Sequence, residues 1–338
     1  MKYYSNLKKY YKTLRPVINK YYTFGKKSCL KTAKLIKSKM ASWWHIIAAT
    51  AFAVIFLYYP LGGLIISNTS TPSFQPQSDD QGLSTIDSLN FLIAQEVHHK
   101  IWTPNLPILF PSYFLDNMPN FQLGVISAVS STAQALDKFS FETSDTNSRN
   151  DLHKAAELLQ YPGNIWLFSP QNSLKPATSS STQYKKSRRL LKNFNLSLIE
   201  GKTTLPLDES NFVIVLKRIR KDLNNLVKTT SDHVRENQDL FIDTKSDDIF
   251  YNAYGKIYAY AQIAKGLGHD FKDVLVDYDI YAIWSSLIKT LDETSSFEPW
   301  IVRNGQLQSS FSPNHLITLS YQASRSINYL NAMINQLP

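Results

Sequence analysis

No acidic residue occurs before Asp79, and a single cysteine, Cys29, serves the whole chain of 338 residues. One thiol excludes an intramolecular disulfide and a Cys-x-x-Cys metal site, so whatever folds beyond it must be stabilised by packing. Histidine is scarce, with seven in all and no His-Glu-x-x-His pair. His98 and His99 are neighbours in sequence, and neighbours on a helix point about 100° apart, which is poor geometry for sharing one ion. The nucleophile-elbow pattern Gly-x-Ser-x-Gly is missing. "GKTT", Gly201 to Thr204, ends like a phosphate loop, but Leu196 stands where the leading glycine belongs. These absences predict no catalytic residue, no metal ligand and no cofactor.

The missing acids also divide the chain electrically. Met1 to Met40 holds twelve of the 36 lysines and arginines, which leaves 24 against 27 acids beyond it, a formal charge near −3. Basicity is a property of the tail, so a nucleic-acid partner is excluded for the folded portion. The tail, residues 1–42, interleaves these cations with tyrosine pairs and is expected to lie on anionic lipid headgroups.

A long apolar run adjoins the tail. Ile46 to Ile66 is 21 residues without a charge, with Thr50 its only polar side chain. About 20 such residues cross the hydrocarbon of a bilayer. Trp43 and Trp44 at one end and Tyr58 and Tyr59 near the other suit the two interfaces. The sequence therefore predicts a transmembrane helix over 43–66, with its ordered part ending near Tyr59 because Pro60 and Gly62-Gly63 come next. Lysines before the span predict a cytoplasmic N-terminus and a single pass. A retained anchor is expected instead of a cleaved signal peptide, whose charged region would be much shorter.

Residues 67–82, rich in Ser, Pro, Gln and Asn, read as an extended spacer. Helical periodicity then dominates 83–338, predicting an all-α domain of about eight helices with a small β-hairpin appendage. Ser84-Thr85 are cap candidates for the first domain helix, Asp208 opens a long helix to Asn237, and Ser312-Pro313 opens the last. "GLGHD", Gly266 to Asp270, reads as a helix stop and turn. "NIWLFS" and "WIVRNGQLQSSF" are the strand candidates, the latter turning at Asn304-Gly305.

Two residue groups are candidate sites. In "FPSYFLDNMPNFQLGV" short polar side chains surround prolines; Asp116, Asn117, Asn120 and Gln122 are expected to line a polar pocket with Asn314 and His315, or Asn120 to cap a helix starting at Phe121. Phe250, Tyr254 and Tyr258 recur every four residues, with Tyr251 and Trp284 nearby. Such rings pack a core, or if exposed stack on sugars, for which peptidoglycan would be the partner.

Several blocks resemble one bacterial family, domain of unknown function 2333: "IWTPNLPILFP", "LDNMPNFQLG", "DLHKAAELLQYPGNIWLF", "DTKSDDIFYNAYGKIYAYAQIAKGLGHDF" and "SFSPNHLITL", in this order from about Leu83 to Leu337. The resemblance implies an inner-membrane protein held by one N-terminal span, with a helical domain in the periplasm, and it implies no reaction. A scaffold or interaction module of the cell envelope with a protein partner is the expected role. A periplasmic glycan-binding protein or hydrolase is the alternative.

Overall fold

The computed structural model describes residues 2–66, 71–76, 82–107, 110, 117–139, 142–143, 146–166, 168–169, 173–237, 244–296 and 314–338. Contacts divide the chain into two units, Met1–Leu61 and Gly62–Pro338. Helix α1 runs unbroken over Lys2–Ile66, so the basic tail is helical throughout. It also passes Pro60 and Gly62-Gly63 instead of ending near Tyr59. One proline removes a single backbone bond, and the apolar residues around it favour helix. Trp43 and Trp44 are 64% and 67% exposed, and Phe52 and Phe56 point outward as well. Tyr58 is exposed, while the side chain of Tyr59 lies outside the described residues. Among the described residues α1 holds the one helical stretch long and apolar enough to cross a membrane.

The second unit is helical, as its periodicity predicts. It comprises α2 (Ser84–Ala94), α3 (Asn117–Leu136), α4 (Thr146–Leu159), α5 (Ser180–Ile199), α6 (Glu209–Glu236), α7 (Thr244–Asp270), α8 (Lys272–Asp277), α9 (Tyr281–Ser295) and α10 (His315–Gln336). The strands are short: β1 (Glu142–Thr143) pairs antiparallel with β4 (Thr203–Thr204), and β2 (Phe168–Ser169) with β3 (Ser173–Pro176). The latter pair is a small hairpin that uses the end of "NIWLFS". The predicted turn at Asn304-Gly305 lies outside the described residues.

Helix α7 is the axis of the unit and packs against α2, α3 and α9. Its crossing with α3 is unusually close, because Gly124 and Gly255 face the partner backbone. A Cβ on Gly255 would come closer than 3.0 Å to the carbonyl oxygen of Phe121, and one on Gly124 equally close to that of Asn252. Only glycine admits two helices at that separation.

The glycines of "GLGHD" correct the sequence reading. The helix continues through them to Asp270. Gly266 lies against the backbone of Ser84 and Gly268 against the Trp284 indole, so both are there for close packing and not for a turn. The break comes one residue later, at Phe271.

Helix α2 corrects a second expectation. Neither Ser84 nor Thr85 caps it, and its N-cap residue, Leu83, has no capping side chain. Asp270 does so from the end of α7, accepting the Ser84 N–H at 2.9 Å, the Thr85 N–H at 2.8 Å and the Thr85 hydroxyl at 2.6 Å. The orphan donors of a helix start need an acceptor, but nothing requires it to be local. Asp208 caps α6 as predicted, accepting the Asn211 N–H at 2.8 Å.

Part of the expected spacer is fastened to the domain. The Tyr258 hydroxyl donates to Pro72 O at 2.7 Å, Lys265 Nζ to the Ser73 hydroxyl at 2.9 Å, and Phe74 N–H to Gln262 Oε1 at 2.8 Å. The Phe74 ring packs on Phe91, 5.7 Å between centroids. Thr71–Pro76 thus forms a strap along α7.

Candidate functional site

Helices α6 and α7 diverge beside the first turn of α3 and leave a cavity of 320 Å³. Helix α6 supplies Asn225, Leu226, Thr229 and Thr230, one face at four-residue spacing. Helix α7 supplies Asp248, Asn252 and Lys256, again four apart, with Ile249 and Ala253 beside them. Asn120 closes one side: its Nδ2 donates to Asp248 Oδ1 at 2.6 Å, which ties α3 to α7. Asn252 Nδ2 reaches back to Asn120 O at 3.4 Å.

The surroundings hold these groups in place. His233 is buried near the end of α6, with Asn237 Nδ2 3.2 Å from one ring nitrogen and the Ser246 hydroxyl 3.4 Å from the other. This polar contact joins α6 to the start of α7. The Thr230 hydroxyl is occupied by Leu226 O and by the Ser320 hydroxyl of α10. Beneath the cavity Arg218 donates to the Ser131 hydroxyl at 3.0 Å and approaches Asp222, which accepts the Tyr260 hydroxyl at 2.6 Å. Lys256 meets no acceptor at hydrogen-bond or ion-pair distance among the described residues. Desolvation pushes its ammonium pKa below the ordinary lysine value, with Asp222 opposing from a distance and Arg218 adding to the depression.

The structure distributes the predicted polar pocket differently. Asn120 lines the cavity, but it lies inside α3 and bonds Asp248, so it does not cap a helix at Phe121: the helix begins at Asn117. Asn117 is half-buried, and its Oδ1 is enclosed without a hydrogen-bond partner. Gln122 is fully buried away from the cavity. It accepts the Thr103 N–H and hydroxyl, both at 2.8 Å, and donates to Glu96 O and Ile101 O. One carboxamide thereby pairs the Ile101 carbonyl and the Thr103 N–H, backbone groups that an irregular segment would otherwise leave unsatisfied. Asn314 caps α10 through the Ile317 N–H at 3.0 Å, and the His315 ring packs 6.4 Å from that of Phe250. Asp116 lies outside the described residues.

The aromatic stripe is core, which removes its sugar-stacking alternative. Tyr254, Tyr258 and Trp284 are at most 2% exposed, and Tyr251 is buried too. Phe121 lies 5.6 Å from Tyr254 and 5.8 Å from Tyr258. The tyrosine hydroxyls are spent on Ser295 O and Pro72 O. Helix α7 thus carries two interleaved stripes, aromatic 250/254/258 toward the core and polar 248/252/256 toward the cavity. The polar stripe was visible in "DDIFYNAYGK" but has meaning only once α6 stands opposite.

Two other polar features are structural. A second cavity of 360 Å³ is bordered by His269 and Asp270, but both side chains serve the first turn of α2. A π-helical turn, Gln95–His99, follows α2 and turns Glu96 inward while His98 and His99 face out. Glu96 Oε1 is 3.0 Å from Lys100 Nζ, and Oε2 is buried without a partner. Burial raises the Glu96 pKa, against the opposing pull of Lys100. A folded pKa above the unfolded one means that the native state holds the extra proton, so this group's contribution to stability falls as pH rises from about 4.5 through the folded value. Glu96→Gln is expected to remove that decline, so that the variant gains on wild type with rising pH in denaturant melts. Parallel pH profiles of the two proteins would contradict it.

Among the described residues no group of three or more His, Cys, Asp or Glu side chains is placed to hold a metal ion. No match was found among curated proteins or among solved structures. The profile of one bacterial family, described as an uncharacterized protein conserved in bacteria, matches residues 107–239 and 217–337. The chain therefore belongs to the bacterial family of domain of unknown function 2333.

Proposed function

We propose that this is an inner-membrane protein, anchored by one span of α1 with its N-terminus in the cytoplasm, whose helical domain acts in the periplasm as an interaction module of the cell envelope. The observation that carries the reading is α1 itself: an acid-free basic stretch leads into 21 uncharged residues, and the large side chains described among them, from Ile46 to Leu61, point outward. Exposed phenylalanine and isoleucine are costly in water and favourable in lipid, and lysines before the span hold that end inside. Binding is favoured over catalysis because the aromatic groups and two of the buried polar clusters already serve the fold. Anionic headgroups along the tail and a protein partner for the domain complete the reading.

Topology is testable with the native thiol. A membrane-impermeant maleimide should leave Cys29 unlabelled in cells with a permeabilised outer membrane. It should label a cysteine placed at the exposed Tyr321 in a Cys29→Ser background. Labelling of Cys29 in those cells would overturn the orientation. Recovery of the protein in the soluble fraction would overturn the anchor. Crosslinking of the full chain in intact cells should trap an envelope protein reproducibly. Retention on insoluble peptidoglycan with no trapped protein would instead favour the glycan reading.

A further inference from the structure

We propose that the outward face of α5 docks on the anionic lipid surface of the membrane that anchors the chain, its cations on headgroup phosphates and its apolar end among the acyl chains. Helix α5 carries five lysines and arginines and no acid over Ser180–Ile199. Lys185, Arg189, Lys192, Leu196 and Ile199 are all exposed and follow one another at steps of four, three, four and three residues. At about 100° per residue they fall in one stripe about 80° wide, on the side of the helix away from the buried Tyr184, Ser187, Leu191 and Phe194. The same helix thus packs the core with one side and turns a continuous stripe outward with the other.

The charge of this stripe is uncompensated. None of Lys185, Arg189 and Lys192 forms an ion pair among the described residues. His98 and His99 stand beside it, at the end of the π-helical turn that follows α2. Burial lowers the His98 pKa, and Arg188, Lys185, His99 and Lys192 lower it further by like charge, with no acid opposing them. The cations of α5 therefore gather near one exposed ring and form a patch that attracts a surface of negative charge.

The apolar end selects lipid over an acidic protein. Leu196 is 54% exposed and Ile199 40%, and Leu207, just before α6, is 37% exposed. An acidic protein surface answers the cations and leaves these side chains in water, whereas a bilayer offers phosphate and hydrocarbon side by side. The inference rests on the anchor proposed above, which keeps such a surface within reach. Only residues 67–70 lie between the end of α1 and the strap at Thr71–Pro76, and extended chain spans about 3.3 to 3.6 Å per residue. So short a tether keeps the local concentration of headgroups high, and weak attractions then suffice. Each lysine or arginine at an anionic surface is worth about fivefold in partitioning.

The test uses full-length protein with Cys29→Ser in lipid nanodiscs, carrying an environment-sensitive dye on Leu196→Cys. Discs of phosphatidylcholine alone are compared with discs that also contain phosphatidylglycerol, each with and without lipid brominated in its acyl chains. In the phosphatidylglycerol discs the dye emission should shift to the blue, and brominated lipid should quench it at least about twofold. In phosphatidylcholine discs, or at high salt, neither change should occur. The same dye on Tyr321→Cys, in α10, should respond to neither lipid. Lys185→Gln, Arg189→Gln and Lys192→Gln together should return the Leu196 dye to water without moving the unfolding midpoint, because all three side chains are exposed. The lipid and salt comparisons need no such variant, so they stand even if the triple substitution disturbs the fold. Protein that co-elutes with the discs while the Leu196 dye stays in water, or responds alike in both lipids, overturns the docking and leaves the anchor standing. An equal response at Tyr321 overturns it too, as does a triple variant that docks like wild type. Protein that elutes apart from both kinds of disc overturns the anchor and this inference with it. Capture of an acidic protein by a photocrosslinker at Lys192 in cells, with the dye unquenched in discs, would assign the face to that protein instead.

Discussion

Gly255→Leu is expected to lower the unfolding midpoint by about 6 to 12 °C. The new Cβ alone would sit closer than 3.0 Å to the Phe121 carbonyl oxygen, and that atom belongs to a helix backbone with no rotamer to yield. The α3–α7 crossing must open, which disturbs the contacts of Phe121 with Tyr254 and Tyr258 at once. Overpacking of this kind costs about 3 kcal/mol, and for a domain of this size each kcal/mol is worth about 2 to 4 °C. Gly255→Ala should show a smaller fall of the same sign, and Gly124→Ala should match it, because the two glycines serve one crossing. A thermal melt by far-ultraviolet circular dichroism reads the result. A leucine variant with a wild-type midpoint would mean that the helices do not approach as described.

Asp270→Ala should cost about 2 to 4 kcal/mol. The substitution strands two backbone donors and a hydroxyl at the start of α2, which are held at 2.6 to 2.9 Å in the native protein. Each buried donor left unpaired costs about 1 to 3 kcal/mol, and loss of a helix cap alone about 0.5 to 2. Asp270→Asn keeps one acceptor oxygen and should recover about half. Hydrogen exchange localises the effect: amides of Ser84 to Asp87 should lose protection in the alanine variant well before those in the middle of α7. Uniform loss across all helices would show instead that Asp270 acts on the whole fold. Unchanged exchange at Ser84 and Thr85 would remove it as the cap.

How much of this was legible in the sequence depended on whether the deciding contact was local. Helix α6 was readable almost to the residue because Asp208 bonds an amide three positions on and the apolar face repeats every turn. The family blocks and the apolar run of α1 were likewise readable, being continuous in the chain. The cap of α2 was assigned to the wrong residues because its acceptor lies 185 positions away in sequence. "GLGHD" was misread because glycine serves turns and close packing alike, and only the presence of Ser84 and Trp284 opposite decides between them. The cavity was missed for the same reason. Asp248, Asn252 and Lys256 look like an ordinary solvated stripe until Asn225 and Thr229 are brought across from α6. In "DNMPNFQ", the polar character was seen but the destinations were not: Asn120 faces the cavity while Gln122, two residues on, is sealed in the core.

The strap over Thr71–Pro76 gives the domain a mechanical address. Tension drawn along the chain from its N-terminal side is met first at Pro72, Ser73 and Phe74, and all three transfer it to α7, at Tyr258, Lys265 and Gln262. Those anchor points fall along one helix at steps of four and three residues, so the load is shared in shear and not peeled one bond at a time. It enters α7 two residues from Lys256, in the wall of the cavity, and passes at the same time to α2 through the Phe74 ring on Phe91 and to α9 through the Lys265–Asp292 ion pair at 2.9 Å.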